Sequence, residues 1–422
     1  MNRPATRELV LFGGLAVLLA VVFASQGAAF GTRMLVEASC LAIVALGLTI
    51  QWGYAGLFNV GIMGFIALAG YTTVLFSFPV NDAFWSSEGP AMLGVTALYL
   101  IVGGLVTYGA SQTHRLGLAK KYRTLLTLIA GAATYLAVSG ALGDAAKFIE
   151  GEAGFVGGFG LPAWVGWLGG GALAGLLGWA MGRLTLGLRA DYMAIATLGI
   201  AEIVKAYLKN ADWLTRGTLT VSPLPWPVPT PADLGFVASR SAYLSVTAIM
   251  IVVIFVLLQR AWAAPWGRMM RAIRDNELSA AAMGKDINRR RLEMFVIGNV
   301  IIGIGGGALI TFGSIFDPSS FLPLNHTFLI WVMVILGGAG NNLGTVFGAL
   351  FVYVIWTMSE PAALFLFDQV SYWGDRLFDW QAPSDMATRA LQMRVFVIGL
   401  TITLVLRFAP RGLIPEQPVK YE

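Results

Sequence analysis

Apolar residues fall in long runs along almost the whole chain, separated by short polar or charged stretches. A hydrocarbon core of about 30 Å takes roughly 20 apolar residues of helix, and a spanning helix satisfies its backbone groups internally. The runs predict spans near 9–25, 35–52, 62–78, 91–110, 124–142, 161–182, 190–208, 241–259, 292–316, 327–339, 343–358 and 394–409. The spans at 327–339 and 343–358 are short, which leaves half-helices or a re-entrant pair open beside two full crossings. A transmembrane barrel would instead show alternating segments of about ten residues. The expected fold class is therefore all-α: a polytopic membrane helix bundle of about 10–12 transmembrane helices, some broken or re-entrant, forming one domain over 1–422. The run Leu9–Ala24 has the length of a signal-peptide core. It lacks a clear small-residue cleavage site and a second span follows closely, so it reads as the first helix.

Charge adds an orientation. Only 12% of residues are charged, half of the about 25% usual in soluble domains. Twelve crossings put both termini on one side. Segments expected there (1–8, 112–123, 183–191, 260–291, 407–422) hold 19 Lys/Arg and 7 Asp/Glu. Those expected opposite (26–34, 79–90, 143–160, 209–240, 317–326, 359–393) hold 7 and 13. Lys and Arg concentrate in cytoplasmic loops, so both termini are expected inside. The basic balance then belongs to membrane topology, and no nucleic-acid partner is implied. Trp85, Trp164, Trp262, Trp266 and Trp356 fall near expected span ends, where an amphipathic ring suits the headgroup layer.

Two segments are unusually rich in glycine. GYAGLFNVGIMGFIALAGY (Gly53–Tyr71) contains Gly53, Gly56, Gly61, Gly64 and Gly70. LGGAGNNLGTVFGAL (Leu336–Leu350) contains Gly337, Gly338, Gly340, Gly344 and Gly348. Glycine lets membrane helices approach closely and permits backbone breaks where protein or a cavity shelters them. Gly340, Gly344 and Gly348 repeat at GxxxG spacing, as do Gly303 with Gly307 and Gly166 with Gly170. Gly53-Tyr-Ala-Gly56 and Gly337-Gly-Ala-Gly340 share a pattern that hints at two related halves.

Candidate chemistry is sparse. No Walker A sequence is present. The two histidines, His114 and His326, lie far apart in expected loops, so neither a metal site, a cofactor site nor a His-based catalytic set is expected. Cys40 is the single cysteine and sits in an apolar run. The charges inside expected spans are Glu37, Glu202, Lys205 and Glu293, with Arg394 at a span start. Such residues are functional candidates by default, although Glu202 and Lys205, three apart on one helix, are placed to pair.

The loop 260–291 alone carries 8 Lys/Arg and 3 Asp/Glu, matching the whole chain's net charge of +5. Read as a helix from Trp266 to Gly284, it puts Trp266, Met270, Ile273, Glu277, Ala280, Ala281 and Gly284 on one stripe. Arg268, Arg271, Arg274 and Lys285 lie mostly off it. A narrow face ending in small residues suits a groove on a partner protein; a helix resting on lipid headgroups is the other reading.

This segment resembles the coupling loop of ABC importer permeases, with Glu277, Ala280, Ala281 and Gly284 in the places of its recurring Glu, Ala pair and Gly. More closely, the chain resembles LivM-type permeases of branched-chain amino acid importers. The likeness rests on Gly53–Tyr71, on LRADYMAIATLGIAEIVK (Leu188–Lys205, with Asp191, Tyr192 and Glu202), on PWGRMMRAIRDNELSAAAMG, and on VILGGAGNNLGTVFGAL with the terminal RFAPRGLIP. The resemblance implies a bacterial inner (plasma) membrane protein, a related second permease subunit, two cytoplasmic ABC ATPase subunits and a periplasmic binding protein. It implies coupling through Trp266, Arg271, Arg274, Glu277, Ala280, Ala281 and Gly284. Three segments depart from the pattern: LTRGTLTVSPLPWP (Leu214–Pro227), two extra spans within 79–160, and a long acidic segment at 359–393. The same machinery carrying urea or short amides is the nearest alternative, and a stand-alone secondary transporter is the alternative of another class.

Overall fold

The computed structural model describes residues 4–113, 119–322, 326–378 and 386–416; His114 lies outside them. Helix appears wherever an apolar run was long enough to cross. The helices are α1 (Pro4–Gln26), α2 (Ala28–Leu48, continued by a π turn, Thr49–Tyr54), α3 (Ile62–Ser77), α4 (Gly89–Ser111), α5 (Lys120–Glu152), α6 (Ala163–Thr185) and α7 (Ala190–Asn210). They continue with α8 (Phe236–Ala263), α9 (Pro265–Asp275), α10 (Glu277–Ala282), α11 (Ile287–Gly313), α12 (Phe328–Gly337), α13 (Asn342–Phe378) and α14 (Met386–Phe408). Among the described residues nine helices are long and apolar enough to cross a bilayer, and α3 and α12 are apolar but shorter. No strand occurs among them, only isolated bridges at Val80–Gly157 and Val221–Phe316. The chain is a polytopic helical membrane bundle.

Several boundaries differ from expectation, α2 among them, since it begins at Ala28 inside the expected loop 26–34. α5 runs to Glu152 instead of stopping near 142. α12, 10 residues long, is the half-helix that the short run at 327–339 left open. α13 is no short span: it is 37 residues long and passes through Pro361 to Phe378, so the expected acidic loop after 358 is helical through that point. Its charges Glu360, Asp368, Asp375 and Arg376 lowered the apolar signal without breaking the helix. Some of the segments that the charge count grouped together meet in the structure. Glu8, Arg268, Arg271, Asn341 and Glu416 line one cavity at a basic end. At the opposite end Asn81 Nδ2 donates to Ala153 O (3.1 Å) and Phe155 O (2.7 Å), and Arg240 Nη1 donates to Ala29 O (2.6 Å).

α2 is the central helix, buried along most of its length and ringed by α8, α11, α12 and α13. Lipid is as apolar as leucine, so close packing and interhelical hydrogen bonds hold such helices together. Glycine supplies the first. An added Cβ on Gly47 would lie 2.6 Å from Gly298 O, and one on Gly303 2.8 Å from Gly170 O. Hydroxyls supply the second: Ser39 Oγ meets Thr247 Oγ1 at 2.7 Å, Thr49 Oγ1 meets Thr345 Oγ1 at 2.6 Å, and Tyr243 Oη donates to Ala308 O at 2.7 Å. Each such bond contributes about 0.6 kcal/mol on average in membrane helices. α4 and α5 pair chiefly with each other, outside this core. Their outer ends are fastened by buried Phe84, Ile149 and Val156.

The span charges all have partners. Glu37 accepts from Arg33 Nε (3.0 Å) and from Tyr353 Oη (2.5 Å). Glu293 pairs with Arg290 at 2.8 Å, and Arg394 pairs with Glu360. Lys205 pairs with Glu202 at 2.9 Å, as their spacing suggested. The Trp expectation holds in part. Trp85 and Trp164 are exposed near helix ends, but Trp262 is buried and Trp356 lies inside the long α13.

Candidate functional site

Both glycine-rich segments turn out to be helix breaks. α2 loosens into its π turn, and residues 55–61 then pass back into the bundle without helix before α3 begins. Gly56 (φ +67°) makes that reversal in a left-handed conformation that side chains with a Cβ resist. The second break lies between α12 and α13, where Gly340 (φ +86°) does the same. Gly338 also has a positive φ. The two breaks touch: a Cβ on Gly53 would lie 2.5 Å from Gly340 N. The paired patterns seen in the sequence are thus neighbours in space.

The other selected glycines are packing positions. Gly61 and Gly64 let α3 lie against Thr197 and Ala201 of α7, and Gly70 accommodates Ile310 of α11. Gly337, Gly344 and Gly348 join α12 to α13: a Cβ on Gly344 would meet Gly337 O at 2.5 Å, and one on Gly348 would collide with Met333 O. Asp191 and Tyr192 are exposed on the first turn of α7 and are not brought to the breaks.

Around the first break lies a buried polar chain. Asn59 Nδ2 donates to Gln51 Oε1 (2.9 Å) and Asn299 Oδ1 (3.3 Å), and Gln51 Nε2 donates to Phe295 O (3.0 Å). Trp331 Nε1 of α12 donates to Asn59 O (3.1 Å), tying the two broken hairpins together. Buried amides like these are costly unless satisfied, and here they hold irregular backbone inside the membrane body. Beside them a cavity of about 570 Å³ is lined by Trp52, Phe58, Val60, Leu198, Glu202, Thr327, Phe328, Trp331 and Ile335.

At the basic end the charged loop does not form one helix. Asn276 adopts an extended conformation (φ −154°, ψ 99°) and its Oδ1 caps α10 by accepting from Ser279 N at 3.0 Å. Asparagine is a favoured N-cap, so Asp275-Asn276 splits the expected helix. The anticipated stripe also faces the membrane body: Met270, Ile273 and Ala280 are buried and Trp266 is half-buried. Glu277 grips Arg291 through two bonds, 3.0 and 2.8 Å. Ala281 and Gly284 stay exposed, beside Leu278 (84% exposed) and Met283 (79%), two large apolar residues that the stripe pattern missed. A signal existed: Leu278 follows the Asn276 cap, which rotates everything after it.

Arg274 joins this loop to both breaks. Its Nη1 donates to Gly53 O (2.7 Å) and to Glu416 Oε2 (2.9 Å). Burial opposes its charge, but Glu416 and Asp275 outweigh that and hold its pKa above the ordinary value. Glu416 belongs to a C-terminal strap, in which Leu413 N and Ile414 N donate to Leu336 O (2.8 Å) and Gly337 O (2.9 Å) at the end of α12. Tyr54 stacks on Trp262 (3.7 Å, 16°), Arg271 lies 4.6 Å above the same Trp262 ring, and Tyr54 Oη donates to Asn342 Oδ1 at 2.6 Å. α9 is thus bonded directly to the first break and reaches the second through Glu416 and the strap.

Residues 31–406 match the family described as "Branched-chain amino acid transport system / permease component". The chain is similar to the probable branched-chain amino acid transport permease protein LivM of Methanocaldococcus jannaschii, 28% identical over 195 residues, 46% of this chain and 52% of that protein. It is also similar to the high-affinity branched-chain amino acid transport system permease proteins LivM of Escherichia coli and Salmonella typhimurium. Each is 26% identical over 177 residues, 36% of this chain and 40% of theirs. The matched stretch thus spans about half or less of these relatives' length. No solved structure matches the chain.

Proposed function

The chain belongs to the branched-chain amino acid transport permease family, and from that premise we propose that it is the membrane subunit of an ABC importer for branched-chain amino acids. In this reading a periplasmic binding protein delivers the amino acid at the acidic end. A related second permease subunit completes the pathway, and two ABC ATPase subunits dock on the basic end, which faces the cytoplasm of a bacterial cell. The chain itself supplies no ATPase motif and acts as conduit, not enzyme.

The observation that carries the reading is the attachment of α9 through Arg274 to the first broken hairpin and, by way of Glu416, to the strap bonded to the second. An external motor needs a grip outside the membrane and a linkage to the segments that open the path. In this arrangement Trp266, Met270 and Ile273 seat α9 on the body, while Arg271 and Arg274 connect it to the breaks. Glu277 orients α10, which offers Ala281 and Gly284 with Leu278 and Met283 to the ATPase.

Co-expression with ABC ATPase, permease and binding-protein subunits encoded beside it, followed by reconstitution in liposomes, tests this. The ATPase subunits should copurify, and labelled leucine should accumulate only with ATP. Accumulation by this chain alone under a proton or sodium gradient would make it a secondary transporter. ATP-driven uptake of urea in place of leucine would assign the other ligand class.

A further inference from the structure

We propose that the basic cavity between α9 and the C-terminal strap, together with the apolar cavity that adjoins it, binds one anionic phospholipid. The phosphate lies among Arg268, Arg271 and Arg411, and an acyl chain lies between α7 and α12. The assignment needs only a helical bundle in a membrane, so it goes beyond the importer reading and stands apart from it.

Three observations converge. The first is charge. A cavity of about 860 Å³ is lined by Arg268, Arg271, Arg274 and Arg411 against Asp275 and Glu416. Arg274 holds both carboxylates, Asp275 at 3.2 Å and Glu416 at 2.9 Å. Arg268, Arg271 and Arg411 are in no ion pair among the described residues. Arg268 Nη1 donates to Ala263 O (3.3 Å), and Arg271 lies over the Trp262 ring. Four guanidiniums less two carboxylates leave two positive charges unbalanced. Glu8 lines the neighbouring cavity beside Tyr54 rather than this one. The second is position. Trp52 of the π turn, Ile335 of α12 and Leu406 of α14 form the rest of the wall, so the cavity sits where three apolar helices end. Leu406 and Arg411 are exposed, which puts its mouth on the outside of the chain. Guanidinium matches phosphate by paired hydrogen bonds, and basic pockets at the ends of membrane helices take anionic headgroups.

The third is the adjoining space. Trp52 and Ile335 also line the 570 Å³ cavity beside the first break, so the two cavities abut. Phe58, Leu198, Phe328 and Trp331 wall that second space, and its one charged residue, Glu202, is engaged by Lys205 at 2.9 Å. Such a slot is costly for a polar group and suits hydrocarbon. An anionic head and an apolar chain on one molecule match two abutting cavities of opposite character. A free phosphate would leave the apolar slot unfilled, and a zwitterionic lipid brings no net charge to the arginines. Arg268 and Arg271 belong to α9 and Arg411 to the strap, so the bound phosphate ties these two segments together.

The test reads bound lipid by native mass spectrometry of the protein purified in neutral detergent, with dioleoylphosphatidylglycerol and dioleoylphosphatidylcholine supplied in equal amounts. Wild type should retain one phosphatidylglycerol in preference to phosphatidylcholine. Arg268→Gln with Arg411→Gln should lower that preference at least about tenfold, since each basic residue at a membrane surface contributes about a fivefold attraction to anionic lipid. Both side chains are exposed, so the doubly changed protein should still fold. Leu198→Trp fills the apolar slot and should reduce retention of phosphatidylglycerol with all arginines in place. Arg183→Gln with Arg289→Gln, at a separate cavity where Asp286 and Glu293 balance the charge, should change nothing. Equal retention of the two lipids by wild type, or equal loss of preference in the two arginine pairs, overturns the assignment. Retention as in wild type after Leu198→Trp overturns the placement of the chain. Glycerol phosphate in large excess should not displace the lipid; displacement would make the mouth a site for free phosphate. The same measurement on the assembled complex settles the remaining occupant, because lipid lost on assembly would mean that another subunit fills the mouth and would overturn the proposal.

Discussion

Single residues set the joint between the two broken hairpins. Gly53 and Gly340 are in backbone contact, with no space for a side chain. Gly53→Val should therefore cost about 1–3 kcal/mol, the usual cost of overpacking, read as a lower unfolding temperature of the detergent-purified protein. An unchanged midpoint would mean the breaks do not need this approach. Arg274 is a different case, because its two bonds link α9 to the first break and to the C-terminal strap. Arg274→Ala should leave insertion and ATP hydrolysis by the assembled complex intact while leucine uptake per ATP falls at least about fivefold, the effect of losing roughly one net hydrogen bond. Uptake per ATP equal to wild type would remove Arg274 from the linkage. The glycines were visible in the sequence as unusual, but their partnership was not. Residues 53 and 340 are 287 positions apart, and a backbone-to-backbone contact leaves no residue-type signature beyond the glycines themselves.

At the scale of elements, the charged loop shows how one residue redirects a pattern. The stripe from Trp266 to Ile273 was legible and is real, but it serves to seat α9 on the body. Asn276 restarts the helix and turns Leu278 and Met283 outward. Leu278→Asp with Met283→Asp should thus leave thermal stability almost unchanged, within about 0.5 kcal/mol as for most exposed sites, and abolish ATPase copurification. Ile273→Asp buries a charge at a site 1% exposed, and the protein should be recovered in much lower yield or unfold at lower temperature. If the surface pair unfolds the protein and the buried change does not, the faces of α9 and α10 have been assigned backwards. The Asp-Asn sequence was a cap signal that the helical stripe overrode, since periodicity alone cannot place a break.

For the whole molecule, the prediction concerns sidedness. In a Cys40→Ser background, Glu150→Cys and Asn288→Cys should label from opposite faces of sealed, oriented vesicles, because residue 150 lies at the acidic end and residue 288 at the basic end. Labelling from one face would break the alternation of crossings. Cys40 itself is fully buried and should react slowly. Each of the twelve expected apolar runs corresponds to a helix among the described residues, nine of them long and apolar enough to cross a bilayer. The sequence by itself determined the all-α class and the order of the apolar helices, because each helix must satisfy its own backbone inside the membrane and a long apolar run is read locally. Tertiary structure alone decided that the breaks meet, that α12 is a half-helix beside Glu202, and that Glu416 closes onto Arg274. Helix faces in a membrane are uniformly apolar, so which of them touch is settled by close packing and a few hydrogen bonds between distant residues, neither of which is written in the hydropathy of the chain.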